Sequence, residues 1–197
     1  EVLLELYKIL GEKMLVHLRG MLSFIILDKK NEILFCARDP YGIKPLYIAK
    51  NKNGIFLGST VKSLISTNLI SREKSNEGEA SFWLLGTVAE PYTWFKEIRA
   101  VNPGSFLIIR ANNAVEEKIW FDVSDSLLKT NEQKINSKDL QELVTNELKD
   151  SVKKHMVADV PIALFLSGGI DSGTLAGMMS EISGAKVTGI TINFEEK

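Results

Sequence analysis

One cysteine, two histidines and five prolines in 197 residues leave little room for several kinds of protein. With Cys36 alone no internal disulfide can form, and a reducing, cytoplasmic compartment is expected. Cys36, His17 and His155 together fall short of the four ligands of an ordinary structural zinc site. No apolar run approaches the ~20 residues of a membrane span, and no signal peptide is visible. Net charge is nearly absent too. Against 25 acidic residues stand 24 basic ones, and the resulting −1 is too weak a field to draw nucleic acid or a membrane surface. What remains is an ordinary globular composition, 45% hydrophobic and 25% charged, long enough for one large domain or two modest ones.

The spacing of apolar residues changes character partway along the chain. Val2, Leu3, Leu6, Ile9 and Leu10 recur at helical intervals and predict an amphipathic helix over 1–18. Strand candidates follow at 21–27, 32–38, 44–50 and 54–59. Their short connections carry Asp28, Asn31, Gly42 and Asn53-Gly54, which suit turns between antiparallel neighbours. The polar run 67–80 predicts an exposed loop, 80–86 a short helix, and 105–110 and 116–121 two more strands. Residues 1–121 are therefore expected to be an α+β domain built on antiparallel sheet. Residues 122–136 are polar and unpatterned, a candidate linker.

Beyond the linker, Ser137 is the expected N-cap of a helix with Asp139 in its first turn. Leu140, Val144, Leu148, Val152 and Met156 follow at intervals of four, an expected buried stripe. A strand at 162–166, a loop, a helix over 172–183 and a strand over 186–193 give residues 137–197 the pattern of an α/β parallel sheet. The chain opens on Glu1 inside a helical pattern and closes at Lys197 just past a strand-like run, so an excerpt of a longer protein is expected.

The stretch that carries chemistry is "ALFLSGGIDSGTLAGMM", residues 163–179. A loop between a parallel strand and a helix N-terminus aims free backbone N–H groups past the strand's carboxyl end. Gly168 and Gly169 remove the side chains that would keep a ligand from those amides, and Ser167 and Ser172 add hydroxyl donors. Such a loop is an anion cradle suited to phosphate or pyrophosphate. Asp171 fits beside phosphates if Mg²⁺ is held between them. No lysine follows the glycines, so this is not the G-x-x-x-x-G-K-[ST] loop, and no G-x-G-x-x-G turn is present. A lysine-free cradle suits reactions in which pyrophosphate leaves and AMP stays on the substrate.

S-G-G-x-D-S, as it stands at 167–172, resembles the loop of the N-type ATP pyrophosphatases. Its surroundings, "DSVKKHMVADVPIALFLSGGIDSGTLA", resemble the start of the synthetase domain of glutamine-hydrolysing asparagine synthetases. Upstream, "LRGMLSFIILD", "ARDPYGIKPLYIA" and "EPYTWFKEIRAVNPGSFL" resemble the later half of that family's glutaminase domain. The resemblance covers nearly the whole chain. It implies part of an Ntn-hydrolase-like glutaminase domain over 1–121, the linker 122–136, and the start of an ATP-pyrophosphatase domain over 137–197. It also implies a reaction: ammonia released from glutamine displaces AMP from β-aspartyl-AMP, which forms from aspartate and ATP with loss of pyrophosphate. ATP and Mg²⁺ are the implied cofactors. Aspartate, glutamine and ATP are the implied partners, with no nucleic acid, no membrane, and a homodimer compatible with the full-length protein.

By the same resemblance Ser167, Gly168, Gly169, Asp171 and Ser172 hold the pyrophosphate, Asp171 reaches Mg²⁺ through it, and Phe165 and Ile192 contact the adenosine. The departures are as specific. The family's glutaminase nucleophile is an N-terminal cysteine whose α-amino group serves as base, whereas residue one here is Glu1. None of that domain's catalytic residues is present. Cys36, mid-strand with a blocked amide, is expected to be a buried structural thiol. Thr60 takes the place of a glutamate usual in the family. Trp83, Trp94 and Trp120 are expected as core or interface anchors, and Arg38 and Asp39 as a local pair. The loop reads ATP and not the acceptor, so two alternatives stay open: a related enzyme adenylating another carboxylate, in sugar-acid amidation or β-lactam formation, and a truncated nucleotide-binding module.

Overall fold

The computed structural model describes residues 1–128 and 136–193. The chain divides into two compact units, Glu1–Thr130 and Asn131–Lys197.

The first unit combines helices with antiparallel sheets. Helix α1 (Val2–Leu10) stops at Gly11, whose φ of 57° ends the α-helix, and a 3-10 helix carries on over Gly11–His17. The single helix expected over 1–18 is thus two segments. One sheet runs β1-β2-β6-β7, with β1 at Ser23–Asp28, β2 at Ile33–Arg38, β6 at Ser105–Arg110 and β7 at Val115–Ile119. The other runs β4-β3-β5, with β3 at Tyr47–Asn51, β4 at Gly54–Gly58 and β5 at Ile98–Ala100. Every pairing in both sheets is antiparallel.

Side-chain alternation sorts the first sheet into two apolar faces. Ile26, Phe35, Ala37, Phe106 and Ile108 pack under Met14, Leu15, Leu6 and Leu10 of the helical layer. Cys36, Leu107 and Ile109 turn the other way, onto Ile48 of the second sheet and Leu46 and Val101 at its flanks. That second sheet buries its far side, through Ala49 and Ile98, under Leu64 of α2 (Val61–Ile65) and Ile70. A register slip of one residue would exchange both faces of β2, so its pairing is closely specified.

Two polar stretches hold more structure than their patterning predicts. Helix α3 (Asn76–Leu85) begins inside the run expected to be a loop, because Ser75 caps it: its Oγ accepts from the Gly78 N–H at 3.0 Å. Helix α4 (Val123–Leu128) lies within the expected linker, with the Ser124 N–H donating to Asp122 Oδ1 at 2.7 Å. The rest of that linker, 129–135, lies outside the described residues. Trp83, expected as a core or interface anchor, is 75% exposed on α3, so it anchors no core within this unit.

Arg38 and Asp39 do not pair with each other. The buried Arg38 guanidinium donates to both carboxylate oxygens of Glu90, at 2.8 and 2.9 Å. It also meets the carbonyls of Gly42, Lys44 and Val101. Asp39, fully buried, accepts the backbone N–H groups of Tyr41, Ile43 and Lys44 at 3.1, 2.9 and 2.8 Å. Gly42 closes this turn at φ +65°, and a Cβ there would stand 2.9 Å from the guanidinium carbon.

The second unit is smaller and thinly packed. Helix α5 (Ser137–His155) is capped by Asn136, one residue before the expected Ser137; its Oδ1 accepts from Lys138 N and Asp139 N at 3.1 and 2.9 Å. Strand β8 (Ala163–Phe165), helix α6 (Ile170–Ser183) and strand β9 (Thr188–Ile190) follow. β8 and β9 pair in parallel, Leu164 opposite Gly189. The stripe on α5 is only partly buried. Val152 is covered, but Leu140, Val144 and Leu148 remain 44–48% exposed. A helix stripe is buried only where a partner surface meets it, and periodicity cannot report that partner.

Burial alone would raise the Asp39 carboxyl, but the backbone N–H groups of Lys44, Ile43 and Tyr41 outweigh it and hold the group below its ordinary value. A carboxyl depressed in the fold stabilises above the unfolded value of ~3.9 and loses that contribution as pH falls through the lower folded value. Asp39→Ala is expected to cost about 3 kcal/mol near neutral pH in urea denaturation. The variant should also lose less stability than the parent chain in the final drop below about pH 4.

Candidate functional site

Strand β8 delivers the chain to the loop 167–172 through a defined end. The Leu166 N–H donates to the Ile190 carbonyl at 2.9 Å, one rung beyond the named strands. The Leu166 carbonyl in turn accepts from the Thr191 hydroxyl at 2.7 Å. The backbone then bends at Gly168, φ +78°, where a Cβ would meet nothing within 4 Å. Gly169 is the N-cap of α6 and offers no side-chain cap.

The amides follow from that start. The first helical bond joins the Gly173 N–H to the Gly169 carbonyl at 3.0 Å, so the turn before it has no helical acceptors. Among the described residues, no protein acceptor meets the N–H of Gly168, Ile170, Asp171 or Ser172. The Gly169 N–H has only Ser167 Oγ, at a long 3.4 Å. The hydroxyls shape the loop from within. Ser172 Oγ accepts from the Ser167 N–H at 3.3 Å, donates to the Gly169 carbonyl at 3.2 Å, and lies 3.1 Å from Ser167 Oγ.

Ser167, Gly168, Gly169, Asp171 and Ser172 therefore come together in one turn, with Asp171 exposed at the helix start, where the dipole favours a carboxylate or a phosphate. Space at Gly168, acceptor-free amides and oriented hydroxyls fit an anionic phosphate group. A divalent ion is a different matter. Among the described residues no group of three His, Cys, Asp or Glu side chains forms a metal site. Asp171 can hold such an ion only with phosphate oxygens completing its shell.

Phe165 and Ile192, expected near a base and ribose, are 76% and 71% exposed. Phe165 pairs across the sheet with Ile190, and Ile192 follows just past the end of β9. The loop's edge of the sheet thus presents apolar surface next to hydrogen-bond donors. His155 sits apart from the loop, its Nδ1 2.8 Å from the Ser151 carbonyl.

In the first unit Cys36 is fully buried, and burial pushes its thiol up to about 12. Thr60, standing where the resembled family has glutamate, caps α2: its Oγ1 accepts from the Ser63 N–H at 3.1 Å. Thr-x-x-Ser ahead of a short apolar run was the signal for that cap. Two partnerships had no local signal, Arg38 with Glu90 and Thr191 with Leu166, because their members lie 52 and 25 residues apart.

An antiparallel α+β unit is thus followed by a unit in which a parallel strand leads through the loop 167–172 into a helix. Residues 1–120 match the family model described as a glutamine amidotransferase domain, and residues 143–197 match asparagine synthase. The chain belongs to the glutamine-hydrolysing asparagine synthetase family. It is 34% identical over 198 residues to glutamine-hydrolysing asparagine synthetase 1 of Bacillus subtilis, covering 100% of this chain and 30% of that protein. With a putative asparagine synthetase of Methanocaldococcus jannaschii it shares 32% identity over 201 residues, 100% of this chain and 38% of the other. A third relative, amidase chyE of Penicillium rubens, is 32% identical over 182 residues, 92% of this chain and 26% of that protein. The chain thus spans about a third of the length of the curated relatives it matches. A solved Bacillus subtilis glutamine phosphoribosylpyrophosphate amidotransferase aligns at 17% identity and a TM-score of 0.36, over 93% of this chain and 35% of that one, too loosely to support an argument.

A thiol held near 12 and fully enclosed should be inert. Cys36 is expected to resist an aromatic disulfide reagent at pH 8 in the native chain and to react in full once 6 M guanidinium is added. Rapid labelling of the native chain would show that β2 opens or that the thiol is accessible.

Proposed function

We propose that the second unit binds ATP at residues 167–172, and that the chain works as part of a longer enzyme making asparagine from aspartate, ATP and glutamine. The observation that carries this reading is the row of acceptor-free amides at the start of α6, immediately after a parallel strand. The relatives named glutamine-hydrolysing asparagine synthetase supply the acceptor and the nitrogen source.

In this reading residues 1–121 are part of an Ntn-hydrolase-like glutaminase domain, 122–136 a linker, and 137–197 the beginning of an ATP-pyrophosphatase sheet that β8 and β9 start. Ser167, Gly168, Gly169 and Ser172 bind the β and γ phosphates through backbone N–H and hydroxyl groups. Asp171 would hold Mg²⁺ together with phosphate oxygens, and the ion would offset charge that would otherwise repel the carboxylate. Phe165 and Ile192 offer apolar surface to the adenosine.

When ATP is bound it supplies an electrophilic α-phosphorus. An aspartate β-carboxylate oxygen attacks there, the bond to the bridging oxygen breaks, and pyrophosphate departs with its charge held by the loop. Ammonia then displaces AMP at the acyl carbon. The loop's part is electrostatic and needs no lysine, since the group it retains is the leaving group. The single buried thiol is compatible with a cytoplasmic setting. Alternatives with another acceptor, a sugar acid or a β-lactam precursor, use the same loop; the names of the relatives favour aspartate.

ATP–pyrophosphate exchange in the longer protein, run over a panel of carboxylic acids, tests the acceptor. Exchange is expected with aspartate, and exchange with another acid alone would overturn that choice. Asp171→Asn is expected to lower ATP-dependent synthesis by about 10²-fold or more while glutaminase activity changes little. Equal loss of both activities would mean that the substitution unfolds the domain rather than weakens its nucleotide site.

A further inference from the structure

Strand β9 ends in an unusual way for a parallel pair. In a regular ladder the Leu166 carbonyl would accept from the backbone N–H of Ile192, the residue two beyond the Ile190 carbonyl that receives the Leu166 N–H. Its partner is instead the side-chain hydroxyl of Thr191, at 2.7 Å. The hydroxyl takes the place of the next main-chain rung, and β9 stops at Ile190. Leu166 is the last residue before Ser167, so both of its backbone polar groups are tied to β9 just where the loop departs. Neither bond uses a loop amide.

We propose that Thr191 is a positioning residue for the loop 167–172: its hydroxyl fixes the Leu166 carbonyl, and with it the direction in which Ser167 and Gly168 leave the strand. The inference rests on the nucleotide reading of that loop. A Cβ at Gly168, φ +78°, would meet nothing within 4 Å, so no packed surface backs that side of the bend, and the remaining bonds that shape the turn are long, 3.1–3.4 Å. The bond from Thr191 is therefore, with the Leu166 N–H bond to Ile190, one of two well-formed anchors at the loop's entrance, and the one that holds the peptide leading into Ser167. Without it the peptide between Leu166 and Ser167 keeps only the long bond from the Ser167 N–H to Ser172 Oγ, and the amides at 168–172 converge less well on one anion. Ile192 is also affected, because the chain at Thr191 sets where that apolar side chain begins.

The test uses the 197-residue chain with inorganic pyrophosphate and Mg²⁺ as the probe. Thr191→Val keeps the shape and removes the hydroxyl, Thr191→Ser restores the hydroxyl, and Thr191→Ala removes it without the second methyl. Pyrophosphate affinity is read by calorimetry, the amide spectrum of 168–172 without ligand by NMR, and the unfolding midpoint by circular dichroism. Thr191→Val and Thr191→Ala are expected to weaken pyrophosphate about five- to tenfold, the scale of one hydrogen bond. Thr191→Ser should bind within about twofold of the parent, with similar midpoints throughout. Unchanged affinity in Thr191→Val would overturn the positioning role while the nucleotide reading stands. A parent chain that binds no pyrophosphate, yet whose loop amides shift in Thr191→Val, would overturn the nucleotide reading and keep the anchor. A silent amide spectrum in that case would remove both.

Discussion

A helix that begins on glycine starts with its first amides unpaired, and among the described residues no protein acceptor meets those of Ile170, Asp171 or Ser172. Gly169 brings no capping side chain, Gly168 leaves open space, and the hydroxyls of Ser167 and Ser172 turn mostly toward one another and the local backbone. Buried polar groups in proteins nearly always find partners, but exposed amides aimed past a strand's end are satisfied by water until an anion replaces it. The parallel pairing of β8 with β9 makes this possible, since a parallel strand must be followed by a crossover and its carboxyl end therefore opens onto a helix start. The rest of the second unit serves that junction. Val152 of α5 and Met179 of α6 are the buried apolar residues among those described there, on two helices that pack on each other.

The first unit solves its own polar problem in the opposite manner, by enclosing it. Asp39 collects three amides of one turn and Arg38 gathers three carbonyls and the Glu90 carboxylate. The two side chains, adjacent in sequence and opposite in charge, each satisfy backbone groups that the turn between β2 and β3 leaves without ladder partners. Charge-assisted bonds to backbone are stronger than neutral ones, which suits a turn that carries chain from one sheet to the other. By contrast Ser105, also fully enclosed, has an Oγ with no partner. It lies at the first residue of β6, and the fold tolerates that cost beside a well-paired neighbourhood.

Much of this was legible in the residues. Short apolar runs at 32–38 and 105–110, bounded by turn residues, announced strands, and the glycine–hydroxyl loop after an apolar strand marked the turn whose amides meet few protein acceptors among the described residues. What escaped was of two kinds. Caps such as Ser75 and Asn136 move helix boundaries by a few residues through one side-chain bond, which apolar periodicity does not register. Long-range partners such as Glu90 for Arg38 and Thr191 for Leu166 are set by the tertiary path and carry no mark in the local sequence. The exposed stripe on α5 and the exposed Trp83 are a third lesson: an apolar side chain states a preference for burial, and only a neighbouring surface grants it.

The most direct measurement is a crystal structure of the protein soaked with a nonhydrolysable ATP analogue and Mg²⁺. The account predicts β and γ phosphate oxygens within 3.2 Å of the N–H groups at 168–172, with the ion between them and Asp171. Phosphates seated elsewhere, or these same amides closed onto protein acceptors, would contradict it.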